Sequence, residues 1–118
     1  MKFREFITSN GKKVLAGKDK ESNEELIKQA ENNNYVLHTK AKGSPFAEIK
    51  GKANKQDIKE AAIFIAKYSQ DWKKNKKDVL VHYFLGKDVF KSKGMKTGTF
   101  LVKKYKEIKV KKEDIEKC

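Results

Sequence analysis

The groups with which this 118-residue sequence could do chemistry are two histidines, one cysteine and a large excess of lysine. His38 and His82 each fall in a predicted strand, and neither stands near a serine or cysteine in a nucleophile context. Cys118 is the last residue and the only thiol, so it can form no intramolecular disulfide and brings no second sulfur to a metal. There is no Gly-x-Ser-x-Gly, no phosphate-binding Gly-Lys-Ser/Thr loop and no His-Glu-x-x-His. These absences point away from an enzyme, and from any metal or cofactor. His82, between Val81 and Tyr83, is expected to be an ordinary sheet histidine.

Lysine is the remaining reagent. Twenty-nine basic residues against 16 acidic ones give a net charge of +13, and Arg4 is the only arginine. A compact ammonium suits phosphate as a point charge, whereas the planar fork that reads guanine edges belongs to arginine. A polyanionic partner gripped by its backbone is therefore expected. A merely lysine-rich composition would spread evenly. Instead, residues 19–34 carry net −3 and residues 87–112 carry net +8, from ten lysines against Asp88 and Glu107. Segregation of this kind reads as a binding face.

Three loops concentrate the candidates. The first, Gly17 to Asn23, leads into a helix N-terminus, where free amides favour an anion. Lys18 is its candidate phosphate ligand, with Gly17, Asp19 and Asn23 read as shaping the turn. Glu21, Glu24 and Glu25 crowd that end, so a well-capped helix accounts for the same residues. The second loop runs from His38 through Thr39, Lys40, Lys42, Gly43 and Ser44 to Pro45. It offers charged and neutral donors to phosphate and to a ribose hydroxyl. In the third, Lys91, Lys93 and Lys96 surround Gly94, with Gly98 beyond. Phe90 and Phe100 flank it and could stack on bases, although aromatic residues in strands more often belong to the core.

The elements that must position these loops follow from turn signals and periodicity. Phe3–Thr8 and Lys13–Gly17 read as a hairpin about Asn10-Gly11, a turn with both positions at positive φ. Ser22, three residues before Glu25, reads as the capping box of a first helix. Strands follow at 35–38 and 46–49. Ile58, Ala61, Ala62, Ile65, Ser69 and Trp72 then keep helical spacing over a second helix from Lys55 to Lys73. Val79–Phe84 is apolar on both faces and is expected at the centre of a sheet. Short strands at 89–90, 99–102 and 108–110 complete the pattern. The order predicts an α+β fold, one domain over residues 1–112, with two main helices packed on one face of a largely antiparallel sheet. Residues 113–118 read as a charged tail. No apolar run approaches the ~20 residues that span a bilayer, so a cytoplasmic protein with no membrane partner is expected.

The same three loops carry a family likeness. The sequence resembles the NFACT-R domain, the RNA-binding module of the NFACT ribosome-rescue proteins, which include the bacterial fibronectin-binding-like proteins and eukaryotic Caliban and NEMF. The likeness runs from Phe6-Ile7-Thr8-Ser9-Asn10-Gly11 to about Val110. Its points are Gly17-Lys18-Asp19 with Asn23, His38-Thr39-Lys40 with Gly43-Ser44, Glu60-Ala61-Ala62 to Tyr68-Ser69 with Trp72, and Lys91 with Gly94 and Thr97-Gly98-Thr99-Phe100. The resemblance implies contact with tRNA or ribosomal RNA and with the large ribosomal subunit, in quality control of stalled translation. Family members also carry a tRNA-engaging domain and a coiled coil, which this sequence lacks, so RNA contact rather than tail synthesis is the function carried over. Lys18 stands where many members have arginine, and Lys40 and Lys42 replace the acid and second histidine of the His-Ala-Asp-x-His-Gly pattern. Lys18 is a weaker bidentate donor than arginine, and the change at Lys40 and Lys42 strengthens the electrostatic reading. The rivals are a module that docks on an acidic protein, or supplies this domain in trans to a truncated relative, and an enzyme on a small anion with His38 and Asp19 sharing a pocket.

Overall fold

Alternation along the strands decides the architecture. The computed structural model describes residues 2–118. Its elements are β1 (Arg4–Ile7), β2 (Lys13–Ala16), α1 (Lys20–Gln29), β3 (Tyr35–Thr39), β4 (Ala47–Ile49), α2 (Lys55–Tyr68), α3 (Gln70–Asn75), β5 (Val79–Leu85), β6 (Val89–Phe90), β7 (Leu101–Val102), β8 (Lys106–Val110) and α4 (Lys112–Lys117). Six strands form one sheet in the order β1-β2-β4-β3-β5-β8, and β6 and β7 pair separately. Every pairing is antiparallel. The class is α+β, as expected.

The helices divide between the two faces, where the sequence suggested one. Val14, Ala16, Leu37, Val81 and Val110 point to one side and pack with Ile58, Ala61, Ala62 and Ile65 of α2. Leu15, Val36 and Phe84 point to the other and meet Leu26 and Ile27 of α1, with Val89 and Val102 of the small hairpin. Successive strand residues face opposite ways. The apolar neighbours Val36 and Leu37 therefore give the sheet two greasy faces, and each helix stripe covers one.

Four local readings change with the structure. Only Gly11 takes positive φ in the first hairpin. The loop is the three residues Ser9-Asn10-Gly11, closed by Gly11 N–H to Thr8 O and Thr8 N–H to Lys12 O, both at 2.9 Å, a turn ending in a glycine bulge. Helix α1 starts a turn earlier than Ser22 suggests, because Asp19 caps it by accepting from Ser22 N–H at 2.8 Å. The long second helix breaks at Ser69, whose hydroxyl accepts from Trp72 N–H and donates to Ala66 O, so it caps a new helix. The expected tail is α4, with Ile115 2% exposed in the core under α2.

Candidate nucleic-acid interface

The entry to α1 is built on close approach. Gly17 is buried, and a Cβ there would lie 1.9 Å from Asn23 Oδ1. That oxygen accepts from Phe46 N–H at 3.0 Å, and Asn23 Nδ2 donates to Ser44 O at 3.4 Å. Gly17 and Asn23 together pin α1 to the segment after β3. Asp19 is held by Ser22, whose backbone N–H lowers its pKa most, aided by the Ser22 hydroxyl and Lys18. Lys18 opens onto a small hollow of about 60 Å³ with Arg4, Tyr68 and Lys73, beyond Gly43.

The 38–46 loop is held from both sides of the sheet. Asp71, in the first turn of α3, accepts from Ala41 N–H and from the Ser44 hydroxyl, each near 3.2 Å. Ser44 Oγ in turn accepts from Gln70 N–H at 3.0 Å. Gly43 turns at φ +87°, a conformation that favours glycine. Ser44 is buried with its hydroxyl bonded on both sides, so it fixes the loop while lining the cleft described below. Thr39 is also buried, on the α2 face with Leu37 and Val81, and its hydroxyl finds no partner among the described residues. Lys40 and Lys42 remain exposed on this rigid support.

His38 faces the α1 side. Its ring lies parallel to Phe46, centroids 3.7 Å apart. Nδ1 is 3.2 Å from Pro45 O, and a carbonyl only accepts, so Nδ1 carries the proton and Nε2 is left as an acceptor. Burial pushes the pKa down to about 4, against the opposing pull of the Pro45 carbonyl and Asp71. At neutral pH His38 is an uncharged acceptor, not the phosphate donor that the sequence suggested.

The third loop folds back onto α1. Glu24 accepts from Gly98 N–H and from Lys91 Nζ, both at 2.7 Å, and Lys91 also donates to Lys96 O at 2.8 Å. Gly98 has φ +81°, and a Cβ would press on the Lys20 backbone at 3.1 Å. A side chain there would strain the backbone and crowd the start of α1. The acidic 19–34 segment thus lies against the basic loop and neutralises part of it. Lys91 is a clamp, with Nζ over the Phe100 ring at 4.9 Å. Lys93 is exposed and stands outside the cleft, and Gly94 turns in open space at φ +85°.

Between these three loops lies a cleft of about 920 Å³. Lys20, Lys40, Lys42 and Lys96 line its rim, and His38, Phe46, Met95, Phe100 and Val102 its interior. Phe100 meets Phe46 edge-on, centroids 5.4 Å apart at 83°. Asp19 does not line it, so the His38–Asp19 pairing expected of an enzyme on a small anion is not formed. Of the cleft lining, sequence reasoning named His38, Lys40, Lys42, Gly43, Ser44 and Lys96 for RNA contact and noted Asn23, Gly98 and Phe100 beside them, but gave no site role to Lys20, Phe46 or Met95, nor to Glu24 and Asp71, which fasten the loops. Glu24 was visible only as a charge near a helix end, and nothing in the sequence told that it would grip Gly98.

Other groups serve the scaffold. Glu48, buried in β4, would be raised by desolvation, but Lys50 at 2.8 Å, Asn34, Gln29 and Glu31 N–H hold its pKa low. His82 pairs with Glu107 at 3.0 Å and stacks on Tyr105. Among the described residues no three His, Cys, Asp or Glu side chains gather as a metal site, and no helix is long and apolar enough to cross a membrane.

Comparison with known proteins gives two matches of different kinds. A family profile described as NFACT protein RNA binding domain matches residues 2–104. No curated protein matches the chain. Among solved structures, the C-terminal part of the fibronectin/fibrinogen-binding protein from Streptococcus suis superposes with a TM-score of 0.85 at 21% identity. The alignment covers 99% of this chain and 49% of that one, so the chain spans about half its length. At that identity the likeness shows the fold.

Proposed function

Since the chain belongs to the NFACT RNA-binding domain family, we propose that it is a non-catalytic module that grips the phosphate backbone of tRNA or ribosomal RNA. It works in the cytoplasm in association with the large ribosomal subunit, in translation or its quality control. The observation that carries this reading is the cleft, where lysines from α1, the 38–46 loop and the 91–100 loop, far apart in sequence, share one rim. Four lysines around one opening offer point charges to phosphates, and the net charge of +13 would draw RNA in from a distance. Lys18 and Lys93, outside the rim, extend the positive surface on either side.

The test is binding of labelled tRNA and of purified ribosomal subunits across a salt series. Four neutralised phosphates predict a slope of log K against log salt of about −3 to −4. Replacing Lys40 and Lys42 by alanine should flatten that slope by about 1.5 to 2 and weaken all RNAs alike. A flat salt dependence, or no binding to tRNA and ribosomes, rejects the proposal. A partner that survives nuclease treatment would instead favour docking on an acidic protein.

A further inference from the structure

The cleft has more in it than a backbone grip uses. Phosphates need exposed cations and amides, which a convex lysine surface supplies as well as a hollow does. Here the lysines stand on the rim, and the interior is lined by Phe46, Met95, Phe100 and Val102 around the ring of His38. His38 and Phe46 lie face to face, and Phe100 stands almost perpendicular to them. The result is an aromatic corner within the cleft of about 920 Å³. Phe46 is 4% exposed and belongs to the floor, while Phe100 and Met95 are half-buried and reach the opening. Phe100 is held from two directions, by Phe46 and by the clamped Lys91 ammonium.

The polar group beside the aromatic rings does not suit phosphate. With Nδ1 donating to Pro45 O, the remaining ring nitrogen of His38 is a bare acceptor. An acceptor repels a phosphate oxygen and suits an N–H group. Nucleobases carry such groups on their Watson–Crick edges and offer flat π-faces to aromatic rings.

We propose that this cleft receives one unstacked nucleobase of a single-stranded RNA segment, set against Phe100 with a base N–H directed at His38 Nε2, while the flanking phosphates lie on Lys20, Lys40, Lys42 and Lys96. The proposal rests on the RNA-binding reading above and sharpens it. The preferred ligand is a loop, bulge or unpaired end, since a duplex keeps its bases in the stack.

The sign of the preference makes the test decisive. A backbone-only binder favours the higher charge density of a duplex, whereas a base-accepting cleft favours the single strand. The full chain is titrated with a labelled single-stranded oligoribonucleotide and with the same strand annealed to its complement, at one salt concentration. The single strand is expected to bind about tenfold more tightly, and Phe100→Leu to remove that advantage. A second readout needs no variant: 2-aminopurine placed along the strand should change its fluorescence on binding at one or a few positions. Equal or tighter duplex binding, or 2-aminopurine fluorescence unchanged at every position, overturns the proposal and leaves the backbone reading standing. Binding of neither form overturns both.

Discussion

At the scale of single residues, burial reverses what a histidine beside two lysines suggests. His38 titrates near 4 in the folded chain against an ordinary value of 6.5, so the unfolded chain takes up its proton first as the pH falls. Its contribution is fully present above about pH 6.5 and is lost on the way down to pH 4, by at most about 3 kcal/mol. Asp71 opposes this by favouring the charged ring and His82 adds to it. Asp57 and Glu24 are held below their ordinary values by hydrogen bonds and nearby lysines that outweigh burial, and Glu60 by hydrogen bonds from Ser9 and Gln56, so their contribution disappears at lower pH. Urea denaturation should therefore show stability falling between pH 6.5 and 4 in the parent, and much less in His38→Gln, which cannot be protonated there. Thr39 offers the opposite case. Its buried hydroxyl has no partner among the described residues, so Thr39→Val should raise stability by about 1 kcal/mol in the same assay. The residue types in the 38–44 loop were legible in the sequence, but not which of two neighbouring strand residues faces the cleft. Register with β5 sets that, sending His38 to one face and Thr39 to the other.

At the scale of elements, loops that look mobile in the sequence are fastened by acids from elsewhere. Glu24→Ala removes the acceptor for Gly98 N–H and Lys91 together. It should cost about 1 to 3 kcal/mol, with the Gly98 amide exchanging faster than the strand amides. An unchanged exchange rate would show that Lys91 alone holds the loop. The break at Ser69 has the same logic. A continuous helix would carry Asp71 along the α2 axis, whereas the cap turns the first turn of α3 toward Ala41 and Ser44. Apolar spacing from Ile58 to Trp72 could not reveal this, because Trp72 reaches the same core after the break. The hairpin, the strands and the apolar helix were readable, since their signals are local. Caps were harder, because Asp19 and Ser22 are both good ones and only packing at Gly17 selects the earlier.

At the scale of the whole molecule, the α+β class followed from the alternation of turns and apolar runs, while the assignment of helices to faces depended on a strand order that the sequence does not display. The same gap hid α4. Lys112–Cys118 reads as charge, yet Ile115 anchors it beneath α2, and Lys67 Nζ donates to Cys118 O at 3.1 Å. Ile115→Ala should lower stability by about 2 to 4 kcal/mol, read as a shift in the thermal midpoint. The charge pattern also means something different in three dimensions. The acidic 19–34 stretch and the basic 87–112 stretch touch at Glu24–Lys91, so one positions the other, and only Lys96 of the ten lysines reaches the rim. The place of Cys118 has a practical side. It is exposed, it is the only thiol in the sequence, and α4 packs across the sheet from the cleft. A maleimide dye or a surface tether attached there leaves the aromatic corner facing solvent, so these 118 residues can be labelled or immobilised in a single orientation without an added tag.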